Sequence, residues 1–134
     1  MRRVNVHLDE AADDAAEREA RRRGVSVALV RAGLGEVLTT DLVLGEVWTL
    51  WRRRRGRAEA VATVDAIRQL PGVTIERVGD WDAEAAWRWL RLHDEREYSY
   101  VDATSFAVMH RLGIHEALAF DDDFAAAGFV EARP

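Results

Sequence analysis

The chain has 134 residues, which suits one compact domain and leaves little room for two. A net charge of -5 argues against a generic nucleic-acid coat protein, which is usually basic, and 49% hydrophobic residues argue against wholesale disorder. Cysteine is absent, so there is neither a disulfide framework nor a thiolate zinc site. No apolar run reaches the roughly 18 residues of a membrane span, and the N-terminus lacks the apolar core of a signal peptide. We therefore expect a single cytoplasmic domain over residues 1–134.

Predicted strands alternate with predicted helices along the chain. Alternating or β-branched apolar segments favour strands, and alanine-rich or amphipathic segments favour helices. In chain order, the predicted elements are a strand at 4–8, a helix at 9–23, a strand at 36–40, helices at 41–55 and 57–70, a strand at 73–78, helices at 81–97 and 99–112, a strand at 116–120 and an edge strand within 128–134. This order predicts an α/β fold with a mostly parallel sheet covered on both faces.

Signals for helix boundaries accompany these segments. Asp41 and Asp80 are suited to N-cap the helices that follow them, because a short side-chain oxygen can accept from free backbone N–H groups. Ser99 followed by Asp102 is a variant of the capping box. Gly113 is suited to end the same helix.

Asp102 raises a question of energetics, because it lies on the apolar side of its predicted helix. Phe106 and Met109 follow it at helical spacing and are expected to face a core. A carboxylate in such a place costs several kcal/mol unless a cation or hydrogen-bond donors compensate it. Asp102 therefore needs a partner.

Three further acids are expected near the carboxyl edge of the sheet, where sites form in parallel α/β folds. Asp9 follows the first strand, and Asp121 directly follows the strand at 116–120. Glu46 lies within a helix that is apolar almost all round, so we expect it to be buried. A cluster of carboxylates needs compensating positive charge, and Mg²⁺ or Mn²⁺ with oxygen ligands supplies it.

Each of these acids also has a purely structural interpretation. Asp102 could be only a capping-box residue, and Asp9 and Asp121 could be ordinary helix N-caps. Glu46 could pair with an arginine such as Arg53 or reach solvent. The four acids together favour a metal site more than any one of them does.

The remaining features either have two competing interpretations or do not indicate a chemical function. An arginine run is a candidate phosphate contact, although it could equally be a solvated helix end, and it comprises Arg52, Arg53, Arg54, Arg55 and Arg57. The five tryptophans lie at helical spacings and are expected to be core or dimer contacts, at positions 48, 51, 81, 87 and 89. Residues 93–97 are interpreted as a solvated charge run. The sequence has no zinc-protease spacing after His115, no Gly-rich phosphate loop and no G-x-S-x-G motif.

Three segments resemble a known family when they are taken together. "TTDLVLGEVWTL" (39–50), "YSYVDATSFAVMHRLGI" (98–114) and "ALAFDDDFAAAGF" (117–129), in this order and spacing, resemble PIN-domain ribonucleases, specifically VapC-type toxins of type II toxin–antitoxin systems. The resemblance extends from about residue 24 to residue 134. Each segment alone would be a weak signal, and the set is specific.

The resemblance implies a three-layer α/β/α PIN-like domain with a short, mostly parallel sheet. It also implies cleavage of RNA that depends on Mg²⁺ or Mn²⁺, homodimerisation, and inhibition by a cognate VapB-type antitoxin. It assigns Glu46, Asp102 and Asp121 to the acidic site, with Asp123 as an auxiliary acid. Thr104 and Ser105 would be supporting hydroxyls behind these acids.

Residues 1–23 depart from the pattern of the family, which opens with an apolar strand, Asp-Thr or Asp-Ser, and an apolar helix. Asp9 lies about where the first acid is expected relative to Glu46, but Glu10 and Ala11 replace the hydroxyl residue. Asp9 could substitute for the family acid, the chain could be a degenerate member, or the true N-terminal reading frame could differ.

Two hypotheses of function follow. The leading one is a metal-dependent endoribonuclease, in which Asp9, Glu46, Asp102 and Asp121 hold the ion and the arginine run holds the RNA backbone. The alternative is a catalytically impaired binding module that engages an antitoxin or another protein through the tryptophan-bearing helices 42–51 and 81–92.

Overall fold

The structure is a computed structural model that describes residues 3–6, 36–118 and 122–132. Within these ranges, the strands are β1 (Arg3–Val6), β2 (Glu36–Thr40), β3 (Val73–Glu76), β4 (Glu116–Leu118) and β5 (Val130–Ala132). The helices of the same ranges are α1 (Asp41–Arg55), α2 (Arg57–Gln69), α3 (Asp80–Leu92), α4 (Tyr100–Leu112) and α5 (Asp123–Ala126). The predicted helix at 9–23 lies outside the described residues.

The strands form one sheet in the order β3-β2-β1-β4-β5, and each neighbouring pair is parallel. β1 is central, with Asn5 opposite Leu38 of β2 and opposite Ala117 of β4. Parallel neighbours require crossover connections, which place helices over the faces of the sheet. The predicted three-layer α/β/α architecture is confirmed, and so is the C-terminal edge strand.

Helix α4 is the most deeply buried helix among the described residues, and every residue from 102 to 109 is buried. The ring of Phe106 contacts the rings of Phe124, Phe129 and Trp89 at centroid distances of 4.9, 5.5 and 4.9 Å. Burying a ring of this kind contributes about 1.5–3 kcal/mol. This aromatic packing fixes the position of α4 against α3 and α5.

The first turn of α4 follows the prediction. Ser99 Oγ accepts from Asp102 N at 2.9 Å, and Asp102 Oδ2 accepts from Ser99 N at 3.0 Å, so the capping box is present. At the other end, Gly113 is left-handed with φ of 67° and closes the helix.

The predicted caps of α1 and α3 are each wrong by one position. Thr40 is the N-cap of α1 and its Oγ1 accepts from Val43 N at 3.1 Å, because Thr40 still has extended geometry. Asp41 is instead the first helical residue, and its carboxylate accepts from Val78 N at 2.9 Å. Gly79 rather than Asp80 caps α3.

Two element ends also differ from the prediction. β3 ends at Glu76 instead of residue 78, since Val78 donates its N–H to Asp41 and not to a neighbouring strand. α3 ends at Leu92 instead of residue 97, because His93 is extended with φ of -123° and its ring stacks on Trp89 at 4.1 Å. Residues 93–99 therefore form a connection that leads back to α4.

The prediction that the tryptophans are core or dimer contacts is confirmed as core packing for Trp89, and the dimer contacts stay a prediction. Trp48, Trp81 and Trp87 are exposed, and Trp89 is the one that packs against the core cluster. Their helical spacing reflects partly exposed faces of α1 and α3 rather than buried faces. In the part of the chain that the structure describes, no helix is long and apolar enough to span a membrane.

Candidate acidic active site

Asp102 is held in place by its own helix and is only 3% exposed. Its capping hydrogen bond uses Oδ2, which accepts from the backbone of Ser99. A carboxylate in the first helical turn is also favoured by the positive end of the helix dipole. The backbone therefore meets part of the cost of burying this carboxylate, as the structural interpretation of the capping box requires.

Asp102 also lines a cleft of about 590 Å³ between α1, the 93–99 connection and the start of α5. Among the described residues of its wall, the carboxylates are those of Glu46, Glu97, Asp102 and Asp123, and the guanidinium is that of Arg53. Like charges at this spacing raise the free energy of the ionised site unless cations offset them. The described wall thus has four carboxylates and one guanidinium, a donor set that is suited to a cation.

Glu46 reaches this cleft from one side of α1. Val43, Val47 and Leu50 form the buried stripe of the helix, while Gly45, Glu46 and Thr49 face the cleft. Glu46 is half-buried, so the expectation that it is enclosed in a helix buried all round is wrong. Because α1 is amphipathic, its acid is presented to an open cleft rather than to the core.

Asp123, the auxiliary acid of the prediction, is the first residue of α5 and its side chain is 15% exposed. One carboxylate oxygen, Oδ1, accepts from Arg96 Nε at 2.8 Å. This hydrogen bond raises the pKa of Arg96 above its usual value. The 93–97 segment, predicted to be only a solvated run, thus supplies both Arg96 to this acid and Glu97 to the cleft wall.

The two predicted supporting hydroxyls are fully buried and do not lie in the cleft wall. Thr104 Oγ1 donates to Val101 O at 2.8 Å, within the first turns of α4. Ser105 Oγ is buried without a hydrogen-bond partner among the described residues. Thr104 therefore stabilises the helix that carries Asp102.

The arginine run divides between the cleft and the solvent. Arg53 lines the cleft seven residues, or about two turns, after Glu46 and on the same side of α1. Arg52, Arg55 and Arg57 are exposed elsewhere on the surface, and Arg54 is half-buried. Of the five candidate phosphate contacts, Arg53 is the one that shares a cavity with the acids.

The predicted metal site is only partly within the described residues. Asp9 and Asp121 lie outside them, while Glu46, Asp102 and Asp123 share the cleft. Among residues 36–118 and 122–132, no three His, Asp or Glu side chains are grouped so that they could hold a metal ion. The chemistry of the donors fits a hard cation such as Mg²⁺ or Mn²⁺, and a complete shell requires further ligands.

A second buried aspartate, Asp82, has no counterpart in the sequence predictions. It is 2% exposed, and its carboxylate binds Arg111 through Nε at 2.8 Å and Nη2 at 3.0 Å. Burial raises the pKa of Asp82, but hydrogen bonds from Arg111 and Gly79 outweigh it and hold that pKa below its usual value. The spacing of Gly79 and Asp82 resembles a capping box and was the available signal in the sequence.

A parallel five-stranded sheet between helices, with carboxylates from α1, α4 and α5 around one cleft, defines an α/β/α domain with an acidic site. The chain belongs to the PIN domain family, whose profile matches residues 7–130. The resemblance to VapC-type members of this family is confirmed.

Similar proteins with known descriptions come from Mycobacterium tuberculosis. The chain is 59% identical over 98 residues to the 23S rRNA-specific endonuclease VapC20 of strains CDC 1551 / Oshkosh and H37Rv, a match that covers 73% of this chain and 74% of that protein. It also matches the crystal structure of M. tuberculosis VapC20, described as a sarcin-ricin loop cleaving toxin, with a TM-score of 0.80 and 47% identity. That match covers 98% of this chain and 99% of the other.

Proposed function

We propose that this protein is an endoribonuclease and the toxin component of a type II toxin–antitoxin system. The observation that carries this proposal is the 59% identity to a 23S rRNA-specific endonuclease. In this chain, Glu46, Asp102 and Asp123 line one cleft. Because that relative is a sarcin-ricin loop cleaving, 23S rRNA-specific endonuclease, this loop is the substrate to test first.

We further propose that the acidic cleft works with a divalent ion, Mg²⁺ or Mn²⁺. Glu46, Asp102 and Asp123 are its ligands in this proposal, together with Asp9 and Asp121 from outside the described residues. When bound, such an ion makes a water a stronger nucleophile and offsets negative charge on the phosphate. Asp102 is the best-placed ligand, because its capping bond fixes the carboxylate at the wall of the cleft.

The remaining steps are assigned to side chains of the chain itself. Arg53 lies in the same cleft as the acids and would hold an RNA phosphate beside them. The half-buried Glu46 and the buried Asp102 have little contact with bulk water, which strengthens their electrostatic interactions. Thr104 supports the reaction only by stabilising the first turns of α4.

A second candidate function is a binding module with the same fold. It is favoured by the absence of a three-ligand group among the described residues and by the exposure of Trp48, Trp81 and Trp87. Exposed aromatic side chains of this kind are enriched at protein interfaces. In the proposal, these faces of α1 and α3 engage a second copy of the chain or a VapB-type antitoxin.

The test is cleavage of an RNA hairpin with the sarcin-ricin loop sequence, in Mn²⁺ and in EDTA. We expect cleavage by the parent protein that EDTA abolishes, and a rate at least about 100-fold lower for Asp102→Asn, since metal-borne charge stabilisation is worth several kcal/mol. Asp65→Asn is the matched control, because Asp65 is an exposed acid of α2 outside the cleft.

The outcomes separate the parts of the proposal. Full cleavage by Asp102→Asn would overturn the acidic site, and cleavage that persists in EDTA would overturn the metal while leaving the nuclease. No cleavage by the parent protein, together with tight binding of a VapB-type antitoxin, would establish the binding module instead.

A further inference from the structure

Arg96 has a position that the proposed reaction does not use. It lies in the connection between α3 and α4, its side chain is 41% exposed, and its Nε donates to Asp123 Oδ1 at 2.8 Å. Asp123 in turn belongs to the wall of the acidic cleft. Arg96 is therefore a cation bound to one of the carboxylates that a metal would need.

The negative charge around the cleft favours the contact between Arg96 and Asp123. The described wall has the carboxylates of Glu46, Glu97, Asp102 and Asp123 against the single guanidinium of Arg53. Carboxylates that share a site repel each other when ionised, and a second guanidinium held against one of them lowers that cost. An arginine cannot lose its proton in this pH range, so it provides the charge permanently.

A divalent ion bound at Asp123 would lie within a few ångströms of the Arg96 guanidinium, and the two positive charges would repel each other. The Nε–H group of Arg96 already uses one lone pair of Oδ1, which leaves the ion at most the remaining lone pairs of this carboxylate. We propose that Arg96 is an internal counter-cation of the acidic cleft, which holds Asp123 in the metal-free protein and competes with the divalent ion for that carboxylate. This inference rests on the proposed metal-dependent function.

The exposure of Arg96 supports exchange rather than a fixed structural role. The Arg96 guanidinium is 41% exposed and is solvated when it separates, so the pair contributes little net stability although Asp123 is only 15% exposed. The guanidinium can thus leave Asp123 for solvent without unfolding the connection. Arg111 is the contrasting case, since it is bound to the buried Asp82 through two nitrogens and also to Glu76.

The experiment measures Mn²⁺ affinity by titration calorimetry for the parent protein, Arg96→Gln and Arg91→Gln. Arg91 is a matched control, because it is an exposed arginine at the end of α3 and does not line the cleft. We expect Arg96→Gln to bind Mn²⁺ about two- to fivefold more tightly, the range that a partly exposed ion pair spans. Arg91→Gln should bind as the parent protein does.

A double-mutant cycle assigns the effect to the pair itself. In an Asp123→Asn background, Arg96→Gln should leave Mn²⁺ affinity unchanged, because the competing carboxylate is already absent. In the parent protein, the Nε–H resonance of Arg96 should shift when Mg²⁺ is added, and it is assigned by its loss in Arg96→Gln. This readout needs neither RNA nor cleavage.

Three other outcomes of the Mn²⁺ titration would overturn the proposed competition. Equal affinity in the parent protein and Arg96→Gln would overturn the competition while leaving the metal site intact. Weaker binding by Arg96→Gln would show that Arg96 positions Asp123 for the ion. If neither protein binds Mn²⁺, both the competition and the proposed metal dependence are overturned.

Discussion

The first turns of α3 and α4 share one capping contact but have different surroundings. In each, an aspartate in the first turn accepts from the backbone N–H three residues earlier, at 3.1 Å for Asp82 with Gly79 and at 3.0 Å for Asp102 with Ser99. The two side chains are also equally buried, with exposures of 2% and 3%. Neither this contact nor burial therefore distinguishes the two aspartates.

Their tertiary neighbours do distinguish them. Asp82 is bound by Arg111 of α4, which also donates to Glu76 of β3 at 3.1 Å, so the pair connects three elements. Asp102 instead lines the cleft with Glu46 and Asp123. A buried carboxylate with a guanidinium partner stabilises the fold, and a buried carboxylate among other carboxylates is suited to bind a cation.

The largest expected difference between the two aspartates appears when the charge of each one is removed in turn. Asp82→Asn should lower the free energy of unfolding by about 2 kcal/mol, because the bidentate bond to Arg111 is broken while Arg111 keeps partial access to water. Asp102→Asn should cost less than about 1 kcal/mol, since an amide oxygen can still accept from Ser99 N. Urea unfolding followed by tryptophan fluorescence measures both, with Asp65→Asn as the control. Equal losses would mean that Asp102 also has a structural partner of similar strength.

A smaller effect is expected from pH. The pKa of folded Asp82 is held below its usual value of 3.8, so its stabilisation is complete above the unfolded pKa and is lost as the pH falls through the lower folded pKa. The difference in unfolding free energy between the parent protein and Asp82→Asn should therefore be constant near neutral pH and shrink below about pH 4. A difference that grows on acidification would contradict this assignment.

The smallest expected effect is on RNA binding by Arg53, which lies in the cleft with Asp102. If RNA lies beside Asp102, then Arg53→Gln should weaken RNA binding about threefold and lower the slope of log K against log salt by about one. Arg57→Gln is the control, because Arg57 is exposed and outside the cleft wall. Fluorescence anisotropy at several salt concentrations measures both slopes. An equal change in the two variants would place the RNA along the whole arginine run.

Much of the fold follows from local patterns that the sequence displays. The strand at 36–40 is confirmed residue for residue, as are the helix at 41–55 and the closure of α4 at Gly113. These elements were predictable because alternation, arginine-rich helix ends and a left-handed glycine act within a few residues. The end of α3 was not predictable, since it depends on the stacking of His93 on Trp89 and on the connection that follows.

The sequence predicted which acids belong to the candidate site better than it predicted how they are exposed. The segments that resemble the family identified Glu46, Asp102 and Asp123, and the structure brings these three acids to one cleft. The sequence misplaced the exposure of Glu46 and omitted Arg96 and Glu97, because a charged segment looks the same whether it faces solvent or an acidic cleft. Asp9 and Asp121 lie outside the described residues, and the functional roles of all five acids stay predictions.

By itself, the sequence determined the alternation of strands and helices and the capping box at Ser99 and Asp102, because these depend on residues close together in the chain. It also determined membership of the PIN domain family, through segments that are specific as a set. Only the tertiary structure decided that Asp82 meets Arg111 while Asp102 meets a cleft. The physical reason is that the free energy of a buried carboxylate is set by the charges within a few ångströms of it. Those charges are supplied by residues distant in the chain, such as Arg111 for Asp82 and Arg96 for Asp123.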